Sequence, residues 1–241
     1  MPARAFVDCH SHVVPSGDDG AATVGEGVEL CRTAAERGTR ILFATPHVWP
    51  HLLLPERREA EVRRAYEAVA VRAPLELRLG FELTPSRALL RDDPRRYALG
   101  GTDAVLMEVP FTGPAEPLFA LAQHAERHGL RPLIAHPERA EAVAEEPDLA
   151  WELAERGWLL QVNATSLLGR HGDRAEELAW RLLDDGRVAL VGSDGHRPSR
   201  PPRIDEAYDV VAARVGEEAA LPLFDGSALG LAPVRELSAR L

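Results

Sequence analysis

The chain has 241 residues, of which 45% are hydrophobic and 27% are charged, as is ordinary for a soluble globular protein with a sizeable core. Its net charge of -10 argues against nucleic acid as a default partner, and its two cysteines exclude a disulfide framework. The sequence contains no lysine, which excludes Schiff-base catalysis, a Walker-A phosphate lysine and a carbamylated-lysine metal bridge.

The sequence carries neither a signal-peptide-like apolar run at its N-terminus nor an apolar stretch long enough to span a membrane. The scarcity of cysteine also fits a reducing compartment. We therefore expect a cytoplasmic protein with no membrane insertion.

Short apolar segments that predict buried strands alternate with amphipathic segments that predict helices. The strands are expected at residues 5–7, 40–45, 75–80, 104–107, 132–135, 158–162 and 187–191. The long helices are expected at 22–37, 56–72, 114–128, 140–156, 173–185 and 203–216. Because no linker or repeat interrupts this alternation, we expect residues 1–241 to form one α/β domain with a parallel sheet. An open sheet and a β/α barrel both fit the pattern.

Histidines and carboxylates recur at the C-terminal ends of these strands. His10 and His12 share one face of the first strand, about 7 Å apart, where they can bind one cation, and Cys9 is expected to face the outer helices. Further such residues follow later strands: His47, Glu82, Glu108, His136, Asp194 and His196. Because a β/α barrel brings strand C-termini to one rim, a shared site favours a closed barrel over an open sheet.

With Asp19, which follows the first strand, these residues supply five imidazoles and four carboxylates as candidate metal ligands. This set is too large for one ion. Three divalent ions, four carboxylates and a bridging hydroxide would carry a net charge of about +1, which suits an anionic substrate. Mixed nitrogen and oxygen ligands favour manganese, iron, zinc or cobalt over calcium or magnesium.

Longer motifs surround these residues. They are D-C-H-S-H at 8–12, G-D-D-G at 17–20, A-T-P-H at 44–47, G-F-E at 80–82, M-E-V-P-F at 107–111, A-H-P-E-R at 135–139, V-N-A-T-S at 162–166, S-D-G-H at 193–196 and R-P-P at 200–202. With them the chain resembles the polymerase-and-histidinol-phosphatase (PHP) superfamily, and within it the capsule-type bacterial protein-tyrosine phosphatases. The resemblance implies a distorted seven-stranded β/α (TIM-like) barrel that holds three divalent metal ions.

The resemblance also implies residue roles, which fall into three groups of ligands. One ion would be held by His10, His12, Glu82 and Asp194; a second by Glu82, Glu108 and His136; and a third by Asp19, His47 and His196. Matching the G-D-D-G turn selects Asp19, and leaves Asp18 with a turn role.

Two arginines resemble the phosphate clamp and catalytic arginines of this family, Arg139 and Arg200. The implied reaction is hydrolysis of a phosphoester by a metal-activated hydroxide. The implied substrate is phosphotyrosine, in a protein such as the tail of a bacterial tyrosine kinase of polysaccharide export.

Other functions fit parts of the same pattern. They are a small-molecule phosphatase of the superfamily, acting on a substrate such as histidinol phosphate, an amidohydrolase-type C–N hydrolase, and a degenerate barrel kept for binding. The sequence also departs from the family, since Val48 and Trp49 follow A-T-P-H where a second histidine is common. The apolar segment 48–56, with His51 in it, is expected to border the site entrance.

Cys31 and Arg37 have the C-x5-R spacing of cysteine-dependent tyrosine phosphatases. That chemistry needs free backbone N–H groups around the phosphate, but this run falls inside the predicted helix 22–37, whose N–H groups are already used. We therefore exclude Cys31 as a nucleophile.

Overall fold

Parallel strands alternate with helices throughout residues 5–232, the part of the chain that the computed structural model describes. The strands are β1 Phe6–Ser11, β2 Thr39–Ala44, β3 His47–Val48, β4 Glu76–Leu79, β5 Glu82–Leu83, β6 Ala104–Glu108, β7 Arg131–Ala135, β8 Leu159–Asn163 and β9 Leu190–Gly192. The α-helices are α1 Val24–Glu36, α2 Glu56–Ala70, α3 Glu116–Arg127, α4 Glu141–Glu145, α5 Asp148–Glu155, α6 Ala164–Leu167, α7 Asp173–Asp184, α8 Asp205–Val215 and α9 Glu217–Ala220. Short 3-10 helices lie at Leu89–Arg91, Pro94–Tyr97, Pro137–Arg139, Leu221–Leu223 and Ser227–Leu229.

The predicted α/β class with a parallel sheet is confirmed, but a closed seven-stranded barrel is not. The strands form a three-stranded sheet, β1-β2-β4, and a six-stranded sheet, β3-β5-β6-β7-β8-β9. The chain changes sheet three times, between β2 and β3, between β3 and β4, and between β4 and β5. Pro46 lies at the first change and has no N–H to continue the ladder, which explains the break there.

The two sheets meet at the C-terminal ends of β1 and β9. An isolated parallel bridge joins Ser11 to Gly195, and the N–H of His12 donates to the carbonyl of Gly195 at 2.7 Å. The N–H of Asp194 donates to the carbonyl of His10 at 2.9 Å. These bonds hold the segment that follows β9 against the end of β1.

Two apolar clusters stabilise this arrangement. The larger one lies between strands and helices and includes Val28, Leu118 and Val211. The smaller one lies among the strands and includes Val7 and Cys9 of β1 with Phe43 and Leu106. The expectation that Cys9 faces the outer helices is therefore wrong. Both faces of β1 are buried, so polarity along the strand could not show which face points inward.

Two element boundaries differ from the sequence prediction for local reasons. The expected helix at 140–156 is divided into α4 and α5, because Pro147 lacks the N–H that a continuous helix needs. The first strand is longer than expected and includes His10. The helices within residues 5–232 include none with the length and apolar character of a transmembrane span.

Glu59 on α2 connects this helix to the 3-10 helix at Pro94–Tyr97. Its carboxylate accepts hydrogen bonds from Arg63 Nη2 at 2.7 Å and Arg96 Nη2 at 2.6 Å. Burial raises the pKa of Glu59, but the two guanidinium groups outweigh burial and lower the pKa. The ionised carboxylate therefore stabilises the fold above the unfolded pKa of about 4.3, and this stabilisation is lost as the pH falls through the lower folded pKa.

We predict that Glu59→Gln lowers the free energy of unfolding by about 1 kcal/mol at pH 7. The difference from wild type should shrink as the pH is lowered below about 4. Urea unfolding across this range measures both effects. Glu61→Gln is the control, because Glu61 is half exposed and pairs with the exposed Arg57. Equal losses in the two variants at pH 7 would contradict the prediction.

Candidate metal centre

Glu82, the first residue of β5, lies at the centre of the nine predicted ligands, which we call the histidine–carboxylate cluster. Its Oε2 lies 3.1 Å from His10 Nε2, 3.2 Å from His12 Nε2 and 3.0 Å from His47 Nδ1. Its Oε1 lies 3.0 Å from His136 Nε2. Burial raises the pKa of Glu82, but the neighbouring imidazoles, His10 first, outweigh it and hold the pKa well below its usual range. An ionised carboxylate thus lies among four imidazoles.

Asp194 is a second buried carboxylate of the cluster. Its Oδ1 lies 3.5 Å from Nε2 of both His10 and His12 and 3.5 Å from His196 Nδ1. Burial raises the pKa of Asp194, but His10 and its other partners outweigh burial and lower it well below the usual range. Among residues 5–232, the non-glycine residues with a positive φ are Asp194, at 52°, and His136, at 33°. Such strained backbone is typical of functional sites.

Asp19 and Glu108 lie at the edge of the cluster. Asp19 Oδ1 is 3.3 Å from His196 Nε2 and 3.6 Å from His47 Nε2, and the hydrogen bond from His196 lowers the pKa of Asp19 to about 2. Glu108 accepts a hydrogen bond from Thr84 Oγ1. Burial, followed by the charge of Glu82, raises the pKa of Glu108 to about 8.

The donor atoms in the cluster fit divalent cations. Three sets have ligand atoms within 4.8 Å of one another: His12, His47 and His196; His10, Glu82 and His136; and His10, His12 and Asp194. Glu82 Oε2 and His47 Nδ1 are buried and, although 3.0 Å apart, do not have hydrogen-bond geometry, and the buried Glu108 Oε2 makes no hydrogen bond. Buried polar atoms without a partner are costly, and a cation would supply one. Imidazole and carboxylate together suit zinc, manganese, iron and cobalt.

Two side chains on β8, which the sequence analysis did not assign, orient the cluster. Gln161 Oε1 lies 2.8 Å from His10 Nδ1, and its Nε2 donates to Asn163 Oδ1 at 2.8 Å. Asn163 Nδ2 donates in turn to Asp194 Oδ2 at 2.8 Å. Since the amide oxygen of Gln161 accepts from Nδ1–H of His10, Nε2 of His10 keeps its lone pair for the cluster. The sequence signal that could have identified Gln161 and Asn163 is their spacing of two residues near the C-terminal end of a strand, which places both side chains on one face.

Asp18 has the expected turn role, accepting from the N–H of Gly20 at 3.1 Å and of His47 at 2.9 Å. Its Oδ2 also lies 3.7 Å from His12 Nδ1. Asp18 therefore holds the turn against the cluster, while the adjacent Asp19 reaches His47 and His196.

Both predicted clamp arginines lie beside the cluster. Arg139 Nη1 donates to Asp194 Oδ2 at 2.7 Å, and Arg200 Nη2 donates to Asp194 Oδ1 at 3.2 Å. Arg200 Nε is buried without a hydrogen-bond partner. The two arginines line a cavity of about 150 Å³, which we call the rim cavity; its lining residues are Asp19, His47, Trp49, Phe111, His136, Arg139, Asp194, His196 and Arg200.

A larger cavity of about 930 Å³ lies away from the cluster. Its charged lining is mainly acidic, with Glu116, Glu141, Glu145, Glu146 and Glu152 against the single Arg156. Carboxylates repel phosphate, so this cavity does not suit an anionic substrate. The rim cavity, although smaller, has the groups that such a substrate needs.

Cys31 lies inside α1, as expected, and burial raises the pKa of its thiol to about 12. A thiol of this kind is protonated at neutral pH and is a poor nucleophile. The chemistry of the C-x5-R phosphatases does not apply to this site.

Comparison with known proteins relates the chain to bacterial capsule synthesis. A family model described as capsular polysaccharide synthesis, CpsB/CapC, matches residues 6–229. The chain is 30% identical over 221 residues to the tyrosine-protein phosphatase YwqE of Bacillus subtilis. This alignment covers 88% of this chain and 86% of that protein. It is 27% identical over 232 residues to the tyrosine-protein phosphatase CpsB of Streptococcus pneumoniae, covering 91% and 95%.

Solved structures give the same relationship. A chain from the crystal structures of YwqE from Bacillus subtilis and CpsB from Streptococcus pneumoniae, described as metal-dependent tyrosine phosphatases, aligns with a TM-score of 0.81. The alignment has 29% identity and covers 90% of this chain and 91% of that chain. Dihydropyrimidinase from Brevibacillus agri aligns with a TM-score of 0.63 at 13% identity, covering 92% and 69%, which indicates a shared fold alone.

Gly195, between Asp194 and His196, is required by close packing. A Cβ atom there would lie 2.5 Å from both Cα and N of Pro202.

We predict that Gly195→Ala lowers the free energy of unfolding by about 1–3 kcal/mol, because the backbone must move. In the control Gly25→Ala, the nearest atom to the added methyl is 3.8 Å away, and the helix should gain about 0.5–1 kcal/mol. Urea unfolding tests both, and wild-type stability in Gly195→Ala would contradict the prediction.

Proposed function

Because the chain belongs to the CpsB/CapC family of capsular polysaccharide synthesis, and is thus a phosphatase, we propose that it is a metal-dependent protein-tyrosine phosphatase with a trinuclear centre. The observation that carries this proposal is the buried Glu82 carboxylate among four imidazoles, with Arg139 and Arg200 beside it. The proposal includes a single domain and a distorted seven-stranded barrel, supported by the bridge between Ser11 and Gly195.

The proposed ligand groups are the three that the family resemblance implies. The first is His10, His12, Glu82 and Asp194; the second is Glu82, Glu108 and His136; the third is Asp19, His47 and His196. The short distances from Glu82 and Asp194 to the imidazoles support the first group. Since His12 also lies close to His47 and His196, it is positioned between the first group and the third.

The roles of the chain's own residues follow from their positions. The cluster residues would hold divalent ions, which would make a hydroxide nucleophile available at neutral pH and offset the charge of phosphoryl oxygens. Arg139 and Arg200 orient the phosphoryl group through their forked N–H donors. Gln161 keeps the proton on His10 Nδ1. Because a phenol has a pKa near 10, a tyrosyl oxygen leaves with less need of a proton donor than an alkyl alcohol.

We further infer that the substrate is a phosphorylated protein, such as the phosphotyrosine tail of a bacterial tyrosine kinase of polysaccharide export. The names of YwqE and CpsB support the tyrosine part of this proposal, and the family description supports the capsule context. The amidohydrolase alternative is supported by fold likeness alone. The absence of lysine excludes the carbamylated-lysine metal bridge from this chain.

The metal requirement is tested with a chelator and with Glu82→Gln. We expect the purified protein to contain manganese, iron, zinc or cobalt, and chelation to abolish phosphatase activity until metal is restored. Glu82→Gln should lose bound metal and at least about 100-fold in kcat/KM, because the central charge is removed. Metal content and hydrolysis are measured together, with Glu61→Gln as the exposed control. Full activity in metal-free protein would contradict the proposal.

The substrate class is tested with phosphotyrosine and phosphoserine peptides of one sequence and with a sugar phosphate. We expect preference for phosphotyrosine, and a loss of about 10- to 1000-fold in kcat/KM in Arg139→Ala and Arg200→Ala. Arg57→Ala is the control, because the Arg57 side chain is 90% exposed. Preference for the sugar phosphate would instead favour the small-molecule alternative.

A further inference from the structure

We propose that Trp49 and Phe111 form a binding site for the aromatic ring of the leaving group, and so determine specificity for aryl over alkyl phosphoesters. This inference rests on the proposed phosphatase function. It assigns a role to the apolar segment after A-T-P-H, where the sequence departs from the family. The argument depends on the position, the support and the exposure of the two rings.

Trp49 and Phe111 both line the rim cavity, beside the predicted phosphate-binding arginines. Most of its lining residues are cluster members or the two clamp arginines; the remaining two are Trp49 and Phe111. A phosphoryl group held at Arg139 and Arg200 therefore has aromatic side chains as its apolar neighbours. A group attached to the ester oxygen would therefore have these rings beside it in the cavity.

Trp49 is held in a fixed orientation. Its indole stacks on His47, with centroids 4.3 Å apart and planes inclined by 26°, and on His51 at 5.2 Å and 23°. The carbonyl of Trp49 accepts from the N–H of Leu52 at 2.9 Å. Arg58 on α2 fixes the same segment, donating to the carbonyls of Leu52 at 2.8 Å and His47 at 2.9 Å. The indole is thus a preorganised wall of the cavity.

Phe111 is an exposed apolar side chain beside charged groups. The residue is 42% exposed, and its ring stacks on His136 with centroids 5.4 Å apart and planes inclined by 22°. The Arg139 guanidinium carbon lies 4.9 Å from the ring centroid. The carbonyl of Phe111 accepts from the N–H of Glu141 at 3.0 Å, which anchors the residue to α4. Packing does not explain its exposure, whereas contact with a substrate ring would.

Geometry favours an aryl ester over an alkyl ester. A tyrosyl ring attached to the ester oxygen would place its faces and edges against Trp49 and Phe111, an arrangement that aromatic pairs prefer. A seryl ester has only one carbon between the ester oxygen and Cα and presents no ring to them. Such contacts correspond to about a tenfold preference in binding.

Binding of phosphonates to the metal-loaded protein tests this inference without involving the chemistry of the leaving group. Isothermal titration calorimetry compares phenylphosphonate with methylphosphonate. In the wild-type protein we expect the phenyl compound to bind about tenfold more tightly. Trp49→Ala and Phe111→Ala should each reduce this preference to about two- to threefold and leave the methylphosphonate Kd unchanged.

Two further variants are controls. Trp49→Phe should retain the preference, because it keeps an aromatic ring in the cavity. Val71→Ala removes an apolar side chain that is 82% exposed and outside the site, and should have no effect. Since Phe111 is exposed, its removal leaves no buried void, so Phe111→Ala tests the inference even where Trp49→Ala does not fold.

The outcomes of this experiment distinguish failure of the aromatic site from failure of the proposed phosphatase function. Equal binding of the two phosphonates by an active wild-type phosphatase would overturn the aromatic site alone. Equal weakening of both phosphonates in the variants would also overturn it, because the rings would then act only on the phosphonate position. Binding of neither phosphonate, with no hydrolysis of any phosphomonoester, would overturn the proposed function as well.

Discussion

A buried ionised carboxylate is the constraint on which the rest of the site depends. Glu82 is fully buried, and an isolated charge in that position would be prohibitive without compensating partners. The fold supplies them by breaking two strands: β3 pairs with β5 in the register that places His47 opposite Glu82. The end of β1 supplies His10 and His12 from the other side. His136, which follows β7, completes the four imidazoles around this carboxylate.

A second group of residues holds the ligands in place without being ligands. The Gln161–Asn163 chain runs from His10 to Asp194, so one strand orients two members of the cluster. Gly195 lets the backbone between Asp194 and His196 lie against Pro202. The positive φ of Asp194 belongs to the same arrangement, since strained backbone persists only where its surroundings fix it. Close packing and hydrogen bonds thus keep the ligand side chains of the cluster in one arrangement.

The rim cavity contains chemical groups that the histidine–carboxylate cluster beneath it, the floor of the site, does not. The floor is imidazole and carboxylate, whereas the rim adds two guanidinium groups and two aromatic rings. In a chain with a net charge of -10, this places two guanidinium groups next to two aromatic rings. That combination suits a substrate with an anionic end and an aromatic body. The stacks of Trp49 on His47 and of Phe111 on His136 place these two aromatic rings directly against two of the candidate ligands.

The sequence by itself determined the fold class, because its strands and helices alternate, and its motifs located the nine candidate ligands and the two arginines, because each motif is local in the chain. It did not determine the inward face of β1, since both faces of that strand are buried and polarity gives no contrast. Nor did it assign Gln161, whose role depends on a partner 151 positions away. The division into two sheets was likewise decided only by tertiary structure, because strand pairing depends on register between segments far apart in the chain.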